Sequence, residues 1–170
     1  MNNSNTTILN IEREKLLLEN QIANWFDTTK KHIETVPIEL NAQVQLLANM
    51  RQDLYEELNQ LQHAAFIIKV AEKLQIEFPQ INKWCWHAKQ TSHPDFADLT
   101  GYVGDNIFLN AEVTTSLKPV GTIDKRIKST LASLDKKQGL KLYFVLTNEM
   151  FSRAISKKTN NDFDIEIRQL

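Results

Sequence analysis

Asp98 and Glu112 fall at the two ends of DLTGYVGDNIFLNAE. At its centre, Gly104, Asp105 and Asn106 supply residues that tolerate positive φ, so the stretch predicts a β-hairpin. Pairing about Asp105–Asn106 brings Asp98 opposite the Glu112–Thr114 region. Side chains two apart in a strand share a face. Asn110, Glu112, Thr114 and Ser116 therefore point one way, with Ala111, Val113 and Thr115 on the other. An acid on such a strand needs a partner or a metal. Two converging carboxylates repel unless neutralised, and Mg²⁺ (or Mn²⁺), bound by a few carboxylates with waters and phosphate oxygens, neutralises such a pair.

The elements that must position this pair follow from hydrophobic spacing. After an Asn/Thr-rich tail, Ile8 to about Ile33 carries Ile11, Leu18, Ile22 and Trp25/Phe26 at helical intervals. TVPIEL interrupts it, because Pro37 lacks an amide donor and restricts the residue before it. A longer helix is expected from about Asn41 to Ile76, on a stripe that includes Val44, Leu47, Leu54, Leu58 and Leu61. A short Pro-containing turn joins the two as an antiparallel pair.

Beyond Phe78 the texture is that of strands: INKWCWHA, FADLTGYV and NIFLNAEVTT. Pro119 and Gly121 end the third. Thr122 is the expected N-cap of a helix that buries Ile123, Ile127, Leu131 and Leu134 and is closed by Gly139. LKLYFVLT suits a strand covered on both faces. NEMFSRAISKK reads as a short helix and FDIEIRQL as an outer strand. The order α-α-βββ-α-β-α-β is that of an α/β chain.

At 170 residues, with 42% apolar and 24% charged residues, the chain has the size and composition of one ordinary globular domain with an appended helix or two. It has no apolar run of membrane-spanning length, and its start lacks the basic and apolar regions of a signal peptide. The single cysteine, Cys85, lies between two tryptophans and reads as a small buried hydrophobe, which points to a cytoplasmic setting. No Gly-rich phosphate loop, zinc-like Cys/His spacing or serine elbow competes with the acidic pair.

HPDFADLTGYVGDNIFLNAEVTTS, preceded by a helix and followed by β-α-β, resembles the PD-(D/E)xK (restriction-endonuclease-like) nuclease superfamily. The likeness covers roughly Asn41 to Leu170, by element order more than by identity. It implies an αβββαβ core over residues 41–170, a mixed sheet flanked by helices, with residues 1–40 as an N-terminal tail and helical extension. It also implies Mg²⁺- or Mn²⁺-dependent hydrolysis of phosphodiester bonds. By this resemblance Asp98 is the first metal ligand and Glu112 the second, and the Val113 carbonyl is a third oxygen ligand. Asp95, in a literal Pro94–Asp95, rivals Asp98. Glu57 is the candidate acid from the preceding helix, beside a polar line of Glu56, Gln60 and His63. His63 itself reads as a hydrogen-bonded helix histidine.

The family places a lysine two residues after the glutamate, where this chain has Thr114. A threonine hydroxyl carries no charge and cannot do the same electrostatic work. Lys118, further along the alternation, and Lys125, in the first turn of the next helix, are the candidates to replace it.

The net charge of −1 does not announce a nucleic-acid binder, but Lys118 to Lys141 holds seven basic residues against two aspartates. A whole-chain balance hides such a patch. Lys118, Lys125, Arg126 and Lys128, with His93 beside the PD, are the candidate contacts to nucleic acid, expected to be DNA. The resemblance suits a restriction, repair or phage-defence component. Duplex cleavage needs two active sites, which makes the N-terminal helices a candidate contact for a homodimer or larger complex. Thr114 and the near-neutral charge favour the alternative, a catalytically inert module of the same fold that binds nucleic acid or a partner protein.

Overall fold

The computed structural model describes residues 7–87 and 97–170, without the side chains of Thr7 and Asp53. Helices α1 (Ile11–Glu34) and α2 (Leu40–Glu77) form the antiparallel pair. Lys15 meets Glu72 at 2.8 Å near one end, while the Trp25 indole N–H donates to the Leu54 carbonyl at 3.2 Å further along. A two-residue strand, β1 (Thr7–Ile8), precedes them. After them come β2 (Lys83–Trp86), β3 (Leu99–Val103), β4 (Asn106–Val113), α3 (Thr122–Asp135), β5 (Leu140–Val145), α4 (Asn148–Asn161) and β6 (Glu166–Gln169).

Among the described residues the strands form one sheet in the order β1 to β6. The first four are antiparallel neighbours; β5 runs parallel to β4, and β6 to β5. Parallel neighbours need a crossover, and α3 and α4 supply the two. The chain is therefore α/β with a mixed sheet.

Alternation decides what each face meets. Leu109, Ala111 and Val113 of β4 join Leu142 and Phe144 of β5 in a core with α1 and α2, including Ile67, Val70 and Leu74. Tyr143 and Val145, the intervening residues of β5, pack with Ile127 and Leu131 of α3 and Met150 of α4. β5 is thus covered on both sides, as its apolar run predicts.

Three local expectations change. The helix expected from Ile8 starts at Ile11, because the Asn10 side chain accepts a hydrogen bond from the Arg13 N–H at 3.1 Å and caps it there. Thr7 and Ile8 are then free to pair with the edge of β2. Gly121 rather than Thr122 takes the N-cap of α3, with φ of 56°, a left-handed conformation that glycine adopts without strain. Helix α3 ends at Asp135, and Gly139 instead turns the chain into β5 with φ of 76°. A Cβ at Gly139 would lie 2.5 Å from the Phe108 carbonyl oxygen, so the turn packs closely on β4 only because it has none.

Candidate active site

The main-chain pairing of β3 with β4 runs as far as Leu99 opposite Ala111. At Asp98 it changes character. The Asp98 carbonyl stays with the β2 side, accepting from the His87 N–H at 2.9 Å. The Asp98 carboxylate turns to β4 and accepts the Val113 N–H through Oδ2 at 2.8 Å. A side chain has taken over an amide that a continuing ladder would satisfy with a carbonyl. In an extended strand a residue's N–H and C=O point to the same edge, so the Val113 carbonyl also faces the Asp98 side.

Glu112 lies on the face of β4 opposite Ala111 and Val113 and is partly buried. Its carboxyl is held well above the ordinary glutamate range. Burial is the largest cause and the negative charge of Asp98 the next, opposed by the Lys137 ammonium, while a hydrogen bond to Asp98 favours the protonated form. Glu112 therefore keeps its proton above the ordinary carboxylate range and is hydrogen-bonded to Asp98. On the adjoining strand Tyr143 is the register partner of Glu112. Burial, with the nearby charges of Glu112 and Asp98, pushes its phenol up, so it remains a neutral hydroxyl; Arg126 and a hydrogen bond from Thr114 act the other way. Thr114, two residues after Glu112, is thus tied to Tyr143.

Helix α2 approaches Asp98 with His63, which is 3% exposed. Its Nε2 lies 3.2 Å from Asp98 Oδ1, so both carboxylate oxygens are engaged. The other ring nitrogen, Nδ1, is buried without a hydrogen-bond partner among the described residues.

The face that carries Glu112 continues into a groove of about 700 Å³ between the β3–β4 hairpin and α3. Thr100 and Asn110, each two residues from an acid, are on its floor; Lys136, Lys137 and Ser133 line its α3 side. A buried chain of hydrogen bonds fixes this wall. Thr100 donates to Asn110 Oδ1 at 2.8 Å, and Asn110 Nδ2 donates to the Gln138 carbonyl at 2.9 Å. That last bond anchors the turn beside Lys137.

Lys118, beyond the end of β4, and Lys125, in the first turn of α3, are both exposed. Arg126 and Lys128 are exposed on α3, and the Arg126 charge acts on the Tyr143 hydroxyl. Glu57 is an exposed residue of α2, six positions before His63. His93 and Asp95 lie outside the described residues. Lys141, within the basic stretch, is partly buried and meets Asp164 at 3.1 Å. Lys137 and Tyr143 are the participants that sequence spacing missed. Lys137 reaches the site through the crossover helix and Tyr143 through parallel pairing, and neither relation leaves a local sequence signal.

The arrangement supplies two hard carboxylate oxygen donors next to a backbone carbonyl edge. That set suits Mg²⁺ or Mn²⁺, which take one or two carboxylates and complete their shell with waters or phosphate oxygens. Among the described residues, no three His, Cys, Asp or Glu side chains form a group that could hold a metal ion. No helix among them is long and apolar enough to cross a membrane. The chain matches no protein family, curated protein or solved structure with which it was compared.

Proposed function

We propose that this protein is a metal-dependent nuclease of restriction-endonuclease-like architecture, hydrolysing phosphodiester bonds of nucleic acid, with DNA the expected substrate. The observation that carries the reading is the convergence of Asp98, whose carboxylate accepts the Val113 N–H at 2.8 Å, with the Glu112 carboxyl to which it is hydrogen-bonded, at the end of the β3–β4 hairpin. The hairpin sits within the order α2-β2-β3-β4-α3-β5, with β5 parallel to β4.

Asp98 and Glu112 would hold the ion, with the Val113 carbonyl as a third oxygen. The ion would supply Lewis-acid activation of water at neutral pH. The chain's own groups set the conditions for that. Val113 and His63 hold the Asp98 carboxylate in one orientation. Glu112 must release its proton before it can bind a cation. Lys137, at the wall of the groove, offers positive charge where a phosphate would approach. The exposed Lys118, Lys125, Arg126 and Lys128 would add backbone contacts whose strength falls with salt.

Nicking of supercoiled plasmid in Mg²⁺ or Mn²⁺ tests this reading. Wild type should nick; Asp98→Ala and Glu112→Ala should not. A wild type indistinguishable from Glu112→Ala would remove the catalytic claim.

The tie between Thr114 and Tyr143 favours a second reading, in which the fold binds nucleic acid or a partner protein without cutting it. It predicts salt-sensitive binding of an oligonucleotide with no cleavage under any divalent cation.

A further inference from the structure

Helix α2 is 38 residues long, about 57 Å, yet its buried apolar residues begin only at Leu54. No described side chain between Thr35 and Gln52 is buried. The tip of the α1–α2 hairpin therefore projects past the core that the sheet covers. A helical segment that buries so little draws little stability from its own domain.

The projecting part is apolar in a pattern. On α1, Trp25 and His32 are partly buried, and each is followed by an exposed apolar residue, Phe26 and Ile33. On α2, Gln43 and Leu46 are partly buried, and Val44 and Leu47 follow them, exposed. One residue is about 100° of helix rotation. Because the helices run antiparallel, the same offset on each falls on the same side of the hairpin. Phe26, Ile33, Val44 and Leu47, extended along α2 by Leu40 and Leu58, thus form one apolar face. Phe26 is 62% exposed, Leu40 70% and Leu47 65%.

We infer that this face is a self-association surface, on which two copies of the chain pair their hairpins about a two-fold axis as a four-helix arrangement. Area and charge point to a second copy. At their observed exposures the six side chains leave on the order of 600 Å² open, at the top of the range for the largest patch on a monomer. Pairing two such faces buries about 1,200 Å² before flanking side chains such as Tyr55 contribute, which reaches the range of specific interfaces. From Leu40 to Met50 the helix carries no charged residue; the charges beside the apolar residues are Arg51 on α2 and Lys30 on α1, the latter 3.7 Å from Glu34. A two-fold contact needs a patch that complements itself, and a largely apolar stripe does. The inference stands independently of the nuclease reading.

Sedimentation velocity of the full chain tests it. Wild type should sediment with twice the chain mass of 19.7 kDa, with a monomer fraction that grows on dilution. Val44→Glu/Leu47→Glu should weaken association at least about tenfold, since each buried apolar contact is lost and like charges face each other. Circular dichroism should stay at the wild-type helix signal, because both positions are exposed in the single chain. Ile76→Glu, which adds a charge at an exposed apolar site outside the face, should leave the dimer intact. A wild type that is monomeric at every concentration overturns the inference and leaves the face to a different protein. A double variant that dimerises as wild type does overturns it too.

Discussion

Asp98 accepts the Val113 amide through its carboxylate, at 2.8 Å, where the main-chain pairing of β3 and β4 ends. One hydrogen bond thus joins the first acid to the residue next to the second. The relation gives Asp98 a structural role beside its proposed chemical one, and it separates the effects of two substitutions. Asp98→Ala leaves the Val113 N–H and the buried His63 ring without their acceptor and should cost about 1–3 kcal/mol. Asp98→Asn keeps an acceptor for Val113 and should cost less. Urea denaturation midpoints at constant m-value would show that order.

Glu112 gives a pH signature. Its carboxyl titrates well above the ordinary value near 4.5, through burial and the Asp98 charge. Between those two values the folded state binds the proton that the unfolded state has lost, so stability falls as pH rises through that window. Glu112→Gln removes the titration. It should match wild type near pH 4 and exceed it at neutral and alkaline pH, where each 1 kcal/mol gained raises Tm by about 2–4 °C. Thermal melts across pH would show the two curves diverging upward.

Much of the architecture is legible in the residues. The GDN turn and the flanking alternation place the hairpin, and with it the approach of Asp98 to Glu112. The apolar run at Leu140–Val145 reads correctly as a strand covered on both faces. The start of α1 was hidden because Ile8 and Leu9 continue the apolar spacing, although Asn10 is an evident cap. Spacing names Lys118 and Lys125 because they are near Glu112 along the chain. Lys137 is near it in space, which depends on where α3 returns the chain to the sheet.

Lys137 is therefore the cation whose loss should matter most. Lys137→Ala should lower nicking about tenfold or more, in line with the removal of a charge-stabilising group. It should also raise the Glu112 pKa further, since the Lys137 charge opposes that shift. Lys118→Ala and Lys125→Ala should mainly weaken binding, with a shallower salt dependence. Nicking rates at saturating and limiting DNA separate the two outcomes.

Gly139 tests the packing of the turn beside Lys137. Gly139→Ala forces a side chain to within 2.5 Å of the Phe108 carbonyl in a left-handed conformation. It should destabilise by about 1–3 kcal/mol, read as a drop in Tm. Gly104→Ala, where a Cβ meets no atom within 4 Å, carries the backbone strain alone and should cost less.

Calorimetric titration of Mn²⁺ into the wild type and Glu112→Gln tests the central claim, that Asp98 and Glu112 form a metal-binding acid pair. The account predicts saturable binding by wild type that tightens as pH rises, because the Glu112 proton must leave, and loss of that binding in Glu112→Gln. Equal binding by both proteins, or none by the wild type at alkaline pH, would contradict it.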